Sequence, residues 1–175
     1  PVVSSAASDV YKRQIHRSAE EIALTQPENR MIGLPYTKYM NSIMRVNQSC
    51  ALILMSAKKA RELGIPTSKW VFMYAGACIN DIWNVSDRVD YSSSPAIKAC
   101  SDNVFELADV KIEELNFIDL YSCFPSAVQI AMKELELSKD DPRGLTVTGG
   151  LPYFGGPGNA LSLIHISEPT RPNTI

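Results

Sequence analysis

The stretch Phe117–Ala131, FIDLYSCFPSAVQIA, decides how this sequence is read. Phe117–Tyr121 is a short apolar run of strand length, Ser122-Cys123-Phe124-Pro125 interrupts it, and Ser126–Leu137 follows as an amphipathic helix with Val128, Met132 and Leu135 on one side. A chain that turns directly from strand end to helix start presents unsatisfied backbone N–H groups and the positive end of a helix dipole. In α/β folds that is where anions or polarised carbonyls bind. Tyr121, Ser122, Cys123 and Phe124 are therefore nominated as a site by chain geometry alone.

Working outward, Ser92–Pro95 signals the start of a second helix, with Ser94 as cap and Pro95 at its first position, running to about Ala108. Ile97, Val104, Leu107 and Ala108 mark its inner face. Further upstream, Cys50–Met55 and Trp70–Ala75 read as strands, and Ser56 caps a helix over Ala57–Leu63 that Gly64 and Pro66 close. Arg17–Leu24 reads as a short helix ending before Pro27. The stretch from there to Met44, with Gly33, Pro35, Tyr36 and Tyr39, reads as ordered loop. Ile79–Ser94 reads as irregular. Downstream of the deciding stretch, Leu145–Thr148 is a short strand leading into Gly149–Gly158, where five of ten residues are glycine.

That glycine-rich loop has no GK[ST] and no GxGxxG opening a helix, so it is not a mononucleotide P-loop. Glycine doublets fit tight packing or a substrate lying against bare backbone, and the residues leave both open. No GxSxG elbow, HExxH or Cys/His dyad supports a hydrolase or metalloprotease. No metal site is expected.

The 175 residues, 45% hydrophobic and 21% charged with a net charge of −2, describe an ordinary globular α/β-type chain. They give no basic footprint for nucleic acid and no polybasic membrane patch. The longest apolar stretches fall far short of the roughly 18–20 residues of a membrane span. Cys50, Cys78, Cys100 and Cys123 form no CxxC pair, which points to reduced, mostly core thiols and a cytoplasmic setting.

The two ends read differently. Asp9–Gln14, DVYKRQ, and Leu161–Ile166, LSLIHI, are translations of one DNA element and its reverse complement. With their flanks Ser4–Ser8 and Ser167–Arg171 they resemble translated sequencing adapters. Residues 1–14 and 161–175 are accordingly expected to be artefact, and residues 15–160 a fragment of a longer protein. His165 falls in the second tail. His16, beside the first junction, has no partner motif and reads as a bystander.

Three stretches resemble the thiolase superfamily, in particular the thiolase-like acetyl-CoA acetyltransferase group related to sterol-carrier-protein-type thiolases. They are Val46–Ala51 through Gly64–Pro66, Phe117–Ala131, and LTVTGGLPYFGGPGN at Leu145–Asn159, and the resemblance covers nearly all of Leu34–Asn159. It implies a layered αβαβα fold of two similar halves, of which this chain holds mainly the C-terminal one. It also implies an acyl-CoA thioester as substrate, no tightly bound cofactor, and Claisen-type carbon–carbon bond formation or thiolysis. Tyr121-Ser122-Cys123-Phe124 aligns with the Asn-Glu-Ala-Phe or His-Asp-Cys-Phe motif, making Tyr121 an oxyanion donor. Ser122, Phe124, Gly149, Gly150, Gly155, Gly156 and Pro157 become substrate-binding positions. Cys123 matches a position that is not the family's nucleophile, which has no counterpart here. Gly155-Gly156-Pro157 aligns with Gly-His-Pro and puts Gly156 where the family has a histidine base. Acyl transfer therefore stands beside two alternatives: a thiolase-like aldolase working with a small partner protein, and a thiolase-like protein that binds acyl-CoA without turnover. Implied partners are acyl-CoA, the other half of the fold, and either a second copy or a small partner protein. The surface facing the other half should make residues 15–160 aggregate when expressed alone. A sharply cooperative, monomeric melt would overturn that expectation.

Overall fold

The structure is a computed structural model describing residues 17–43, 52–147 and 149–155. The four expected helices form, two of them behind the caps read from sequence, Ser56 and Ser94. Helix α1, Ala19–Ala23, opens with a capping box in which Ser18 and Glu21 bond each other's backbone N–H. After it come a hairpin of β1, Met31–Gly33, and β2, Tyr36–Thr37, and a 3-10 turn at Lys38–Met40. Helix α2, Ala57–Glu62, is capped by the Ser56 hydroxyl and closed by Gly64 at φ 67°. Helix α3, Pro95–Ala108, is capped by Ser94 with Pro95 in its first turn. Helix α4, Pro125–Glu134, ends on Leu135, and Glu136 at φ 55° turns the chain away. A last short helix, α5, spans Leu151–Phe154.

The hairpin corrects the loop expected before Met44: Met31 pairs with Thr37 and Gly33 with Tyr36 in antiparallel register. Strands of three and two residues are too short to carry an alternating pattern in sequence. What fixes them is Asn29, fully buried, whose Nδ2 donates to the carbonyls of Glu21, Ile22 and Leu24 at 3.1, 3.0 and 2.8 Å and whose Oδ1 accepts from the Tyr39 N–H at 2.8 Å. Thr37, also fully buried, donates from Oγ1 to Ile22 O at 2.6 Å. One amide side chain thus ties the carbonyls at the end of α1 to the Tyr39 N–H of the 3-10 turn.

The core gathers around Ile118, Leu120 and Ala131, with Ile97, Val128, Met132, Leu135, Leu137 and Leu145 packed against it. The expected inner face of α4 is therefore the one buried. On α3, Ile97 reaches the core, but Leu107 is 69% exposed, because the face it occupies has no covering element among the described residues.

The four expected strands are the main correction. Residues 117–121 and 145–147 run alongside each other and share one backbone bond, Leu120 N–H to Leu145 O at 2.9 Å. The Val147 N–H, however, donates to the Asp119 carboxylate at 3.1 Å, so the pairing is not continued as a regular ladder. The strand alternation survives without it: Ile118, Leu120 and Ser122 are buried while Phe117 and Tyr121 are exposed. Residues 52–55 and 70–75 form no strand and pair with nothing among the described residues, leaving Ile53, Leu54, Phe72, Met73 and Tyr74 exposed. An apolar run becomes a strand only when a neighbour accepts its backbone bonds. Residues 50, 51 and 148 of these expected strands lie outside the described residues.

The loops after α3 and α4 are tied by Arg143. Its guanidinium binds Asp141 through Nε at 2.8 Å and Nη2 at 2.6 Å, and its Nη1 donates to the carbonyls of Ile112 and Leu115. This fork, with the Arg143 backbone N–H, holds the Asp141 carboxyl down to about 2, against about 3.9 for an unperturbed aspartate. Because the folded value is the lower one, the contribution is present in full above about pH 4 and disappears as pH falls through about 2. Asp141→Asn should flatten the pH dependence of the melting midpoint across that window, which thermal melts from pH 5 to pH 2 will read.

Candidate functional site

The turn that ends the buried 118–122 segment brings its residues to different places. The outward phase of the alternation puts Tyr121 at 51% exposure, and Phe124, the N-cap of α4, at 43%. Ser122 points inward, 8% exposed, and its hydroxyl accepts from the Leu151 N–H at 3.1 Å. That bond joins the Tyr121–Phe124 turn to the glycine-rich loop, 29 residues later.

The loop can approach so closely because of its glycines. A Cβ on Gly150, at φ 86°, would lie 2.9 Å from Ser122 Oγ and 3.3 Å from Ser122 Cβ. Gly149, at φ 84°, is exposed, with the Tyr153 ring 3.6 Å from where its Cβ would stand, and Gly155, at φ 94°, is buried behind α5. For Gly150 the structure answers the question the residues left open: the glycine is used for tight packing against Ser122. Ser122 likewise braces the loop with its hydroxyl. Gly156 and Pro157 lie outside the described residues, as do His16, Cys50 and both expected adapter tails.

Tyr121 carries the chemistry available at the surface of this turn. Partial burial, then the hydrogen bond and charge of Cys123, raise its phenol above the ordinary value of 10. It is therefore a neutral hydrogen-bond donor at physiological pH and no base. Cys123, read from sequence as a core thiol, is a half-buried free thiol beside it. Cys78, also read as core, is exposed, because residues 76–80 have no covering element among the described residues.

Three contributors were not visible in the sequence. The Tyr36 ring stacks on Phe124 with centroids 5.7 Å apart and planes 21° from parallel. The Ser42 N–H donates to Cys123 O at 3.1 Å, and the Ile43 N–H to Leu151 O at 3.3 Å. Their separation along the chain hides all three. Elsewhere, a cleft of about 370 Å³ opens between α3 and α4, lined by Lys98, Asp102, Phe105, Ile112 and Glu136 among others, and includes none of the expected site residues. Among the described residues no group of three or more His, Cys, Asp or Glu is placed to hold a metal, and no helix is long and apolar enough to cross a membrane.

No protein-family profile matches the chain. A crystal structure does: a monomeric SCP2-thiolase-like protein, type 1, from Mycobacterium smegmatis is similar with a TM-score of 0.81 and 36% sequence identity over 97% of this chain. The fold is thiolase-like. The chain spans 38% of that relative's length.

Within this thiolase-like α/β fold the packing of Gly150 on Ser122 is open to direct measurement. Gly150→Ala combines a positive φ with a clash and should cost about 1–3 kcal/mol in denaturant melts. Gly76→Ala, with no atom within 4 Å of its new methyl group, should stay within about 0.5 kcal/mol of the parent chain. Ser122→Ala leaves the buried Leu151 N–H unpaired and should cost about 1–3 kcal/mol.

Proposed function

We infer that this chain is part of a thiolase-like protein that binds an acyl-CoA thioester between the Tyr121–Phe124 turn and the Gly149–Gly155 loop. On this reading its chemistry is Claisen-type, forming a carbon–carbon bond in an acyl-CoA or breaking one by thiolysis. The observation that carries it is the Tyr121 hydroxyl, half exposed and held in its protonated form at the end of a buried segment, within a thiolase-like fold. A neutral phenol donates to the oxygen of a thioester, and that hydrogen bond strengthens as negative charge builds on the oxygen in an enolate or tetrahedral intermediate. The exposed edge of Gly149 gives the pantetheine arm backbone to lie against. Coenzyme A enters as part of the substrate, and no tightly bound cofactor is required.

In this reading the nucleophilic thiol and the general base come from outside residues 15–160, and the five-layered αβαβα architecture is completed there too. The aldolase alternative is favoured by one feature, a tyrosine rather than asparagine or histidine at position 121. A phenol stabilises the enolate released by retro-aldol cleavage as readily as that of a Claisen step. Since the structurally similar protein is monomeric, a monomer is the working state, in a cytoplasmic setting.

The test is the full-length gene product, assayed for acetyl-CoA binding by calorimetry and for acetoacetyl-CoA thiolysis, with Tyr121→Phe alongside. Loss of one oxyanion donor should lower kcat about 10²-fold while acetyl-CoA affinity changes little. Tight binding with no thiolysis in the parent protein would sink the acyltransferase reading and leave cleavage or simple binding.

A further inference from the structure

The two loops of the candidate site are also bridged from a third place. Adjacent amides, those of Ser42 and Ile43, donate to Cys123 O in one loop and to Leu151 O in the other. The Ser42 hydroxyl is buried without a hydrogen-bond partner among the described residues, so the fold uses this residue through its backbone. An unpaired buried hydroxyl is costly, and it is tolerated where neighbouring contacts dictate the position of the backbone.

Those contacts lead back to Asn29. Its Oδ1 holds the Tyr39 N–H at the 3-10 turn, and the Asn41 side chain, one turn on, donates to Thr37 O at 2.6 Å. Ser42 follows directly. The chain from the buried Asn29 to the two bridging amides is therefore continuous: Asn29 to Tyr39, Asn41 to Thr37, then Ser42 and Ile43. Tyr36, from β2 of the same hairpin, adds its stack on Phe124.

We propose that Gln26–Ile43 is a positioning clamp, in which Asn29 sets the place of Ser42 and Ile43 and these two amides hold the Tyr121 turn and the glycine-rich loop in register. Its functional consequence rests on the reading of those two loops as an acyl-CoA site; its structural consequence does not. Without the clamp, the loops keep the bond from the Leu151 N–H to Ser122 Oγ. That bond is then the tie left between them and opens more often, while the Ile118, Leu120 and Ala131 core stays packed. Asn29 and Ser42 touch no substrate and act through the loops they hold.

Ser42→Pro removes one bridging donor, and Asn41, at φ −105° and ψ 143°, already has the backbone that precedes proline. Asn29→Ala removes the hub. Both variants are made in the full-length product and compared with the parent by amide hydrogen exchange and by titration with acetyl-CoA. The clamp predicts exchange about tenfold faster at Leu151, whose amide bonds across the two loops to Ser122, and at Ala127, whose amide bonds Phe124 O in the first turn of α4, with α3 unchanged. It also predicts acetyl-CoA affinity about tenfold weaker. Unchanged exchange at Leu151 and Ala127 in Ser42→Pro would overturn the clamp, as would exchange rising equally through α3, the mark of a general stabiliser. Should Asn29→Ala fail to fold, Ser42→Pro alone decides. If the parent full-length protein binds no acetyl-CoA, the ligand reading of the site falls, while the exchange pattern still decides the clamp.

Discussion

Burial of every second residue along 118–122 is the constraint on which the rest of the site depends. Ile118 and Leu120 enter the core beside Ala131, and Ser122 enters the contact with the glycine-rich loop. The opposite phase must then send Tyr121 outward, because side chains of an extended backbone alternate. A one-residue slip would bury the phenol and expose the serine, removing the surface donor and the brace together. The apolar residues thus fix the place of a polar group they do not touch.

Around that segment the polar interactions do a different job from the apolar ones. Asn29 and Thr37 are fully buried and hydrogen-bonded, and they define the hairpin, where hydrophobic contact is scarce. Arg143 similarly gathers Asp141 and two loop carbonyls beyond the ends of α3 and α4. Satisfied buried polar groups of this kind specify one geometry, since any other leaves donors unpaired. The exposed apolar residues at 53–55 and 71–74 show the opposite case, chain with no partner among the described residues to define it.

The helices were legible in the sequence because their signals are local. Ser56 and Ser94 each supply a hydroxyl to an N–H three residues on, Pro95 opens a helix, and Gly64 closes one, all within a turn of the element they govern. The turn at Tyr121–Phe124 was legible for the same reason. The strands were misread because an apolar run states burial and not partnership: the Val147 N–H bonds Asp119 where a ladder was expected. The brace from Ser122 to the Leu151 N–H was not legible because the two residues are distant in sequence.

By itself, the sequence determined four helices and the Ser56 and Ser94 caps, the alternation that exposes Tyr121, and a resemblance strong enough to anticipate the thiolase-like fold; the short helix Leu151–Phe154 it read as loop. Only the tertiary structure decided that Gly150 packs on Ser122, that Tyr36 stacks on Phe124, and that Ser42 and Ile43 span the two loops. The division follows the range of the interactions. Capping, turn conformation and side-chain alternation are settled over a few residues, whereas each of these contacts joins segments brought together only when the core closes.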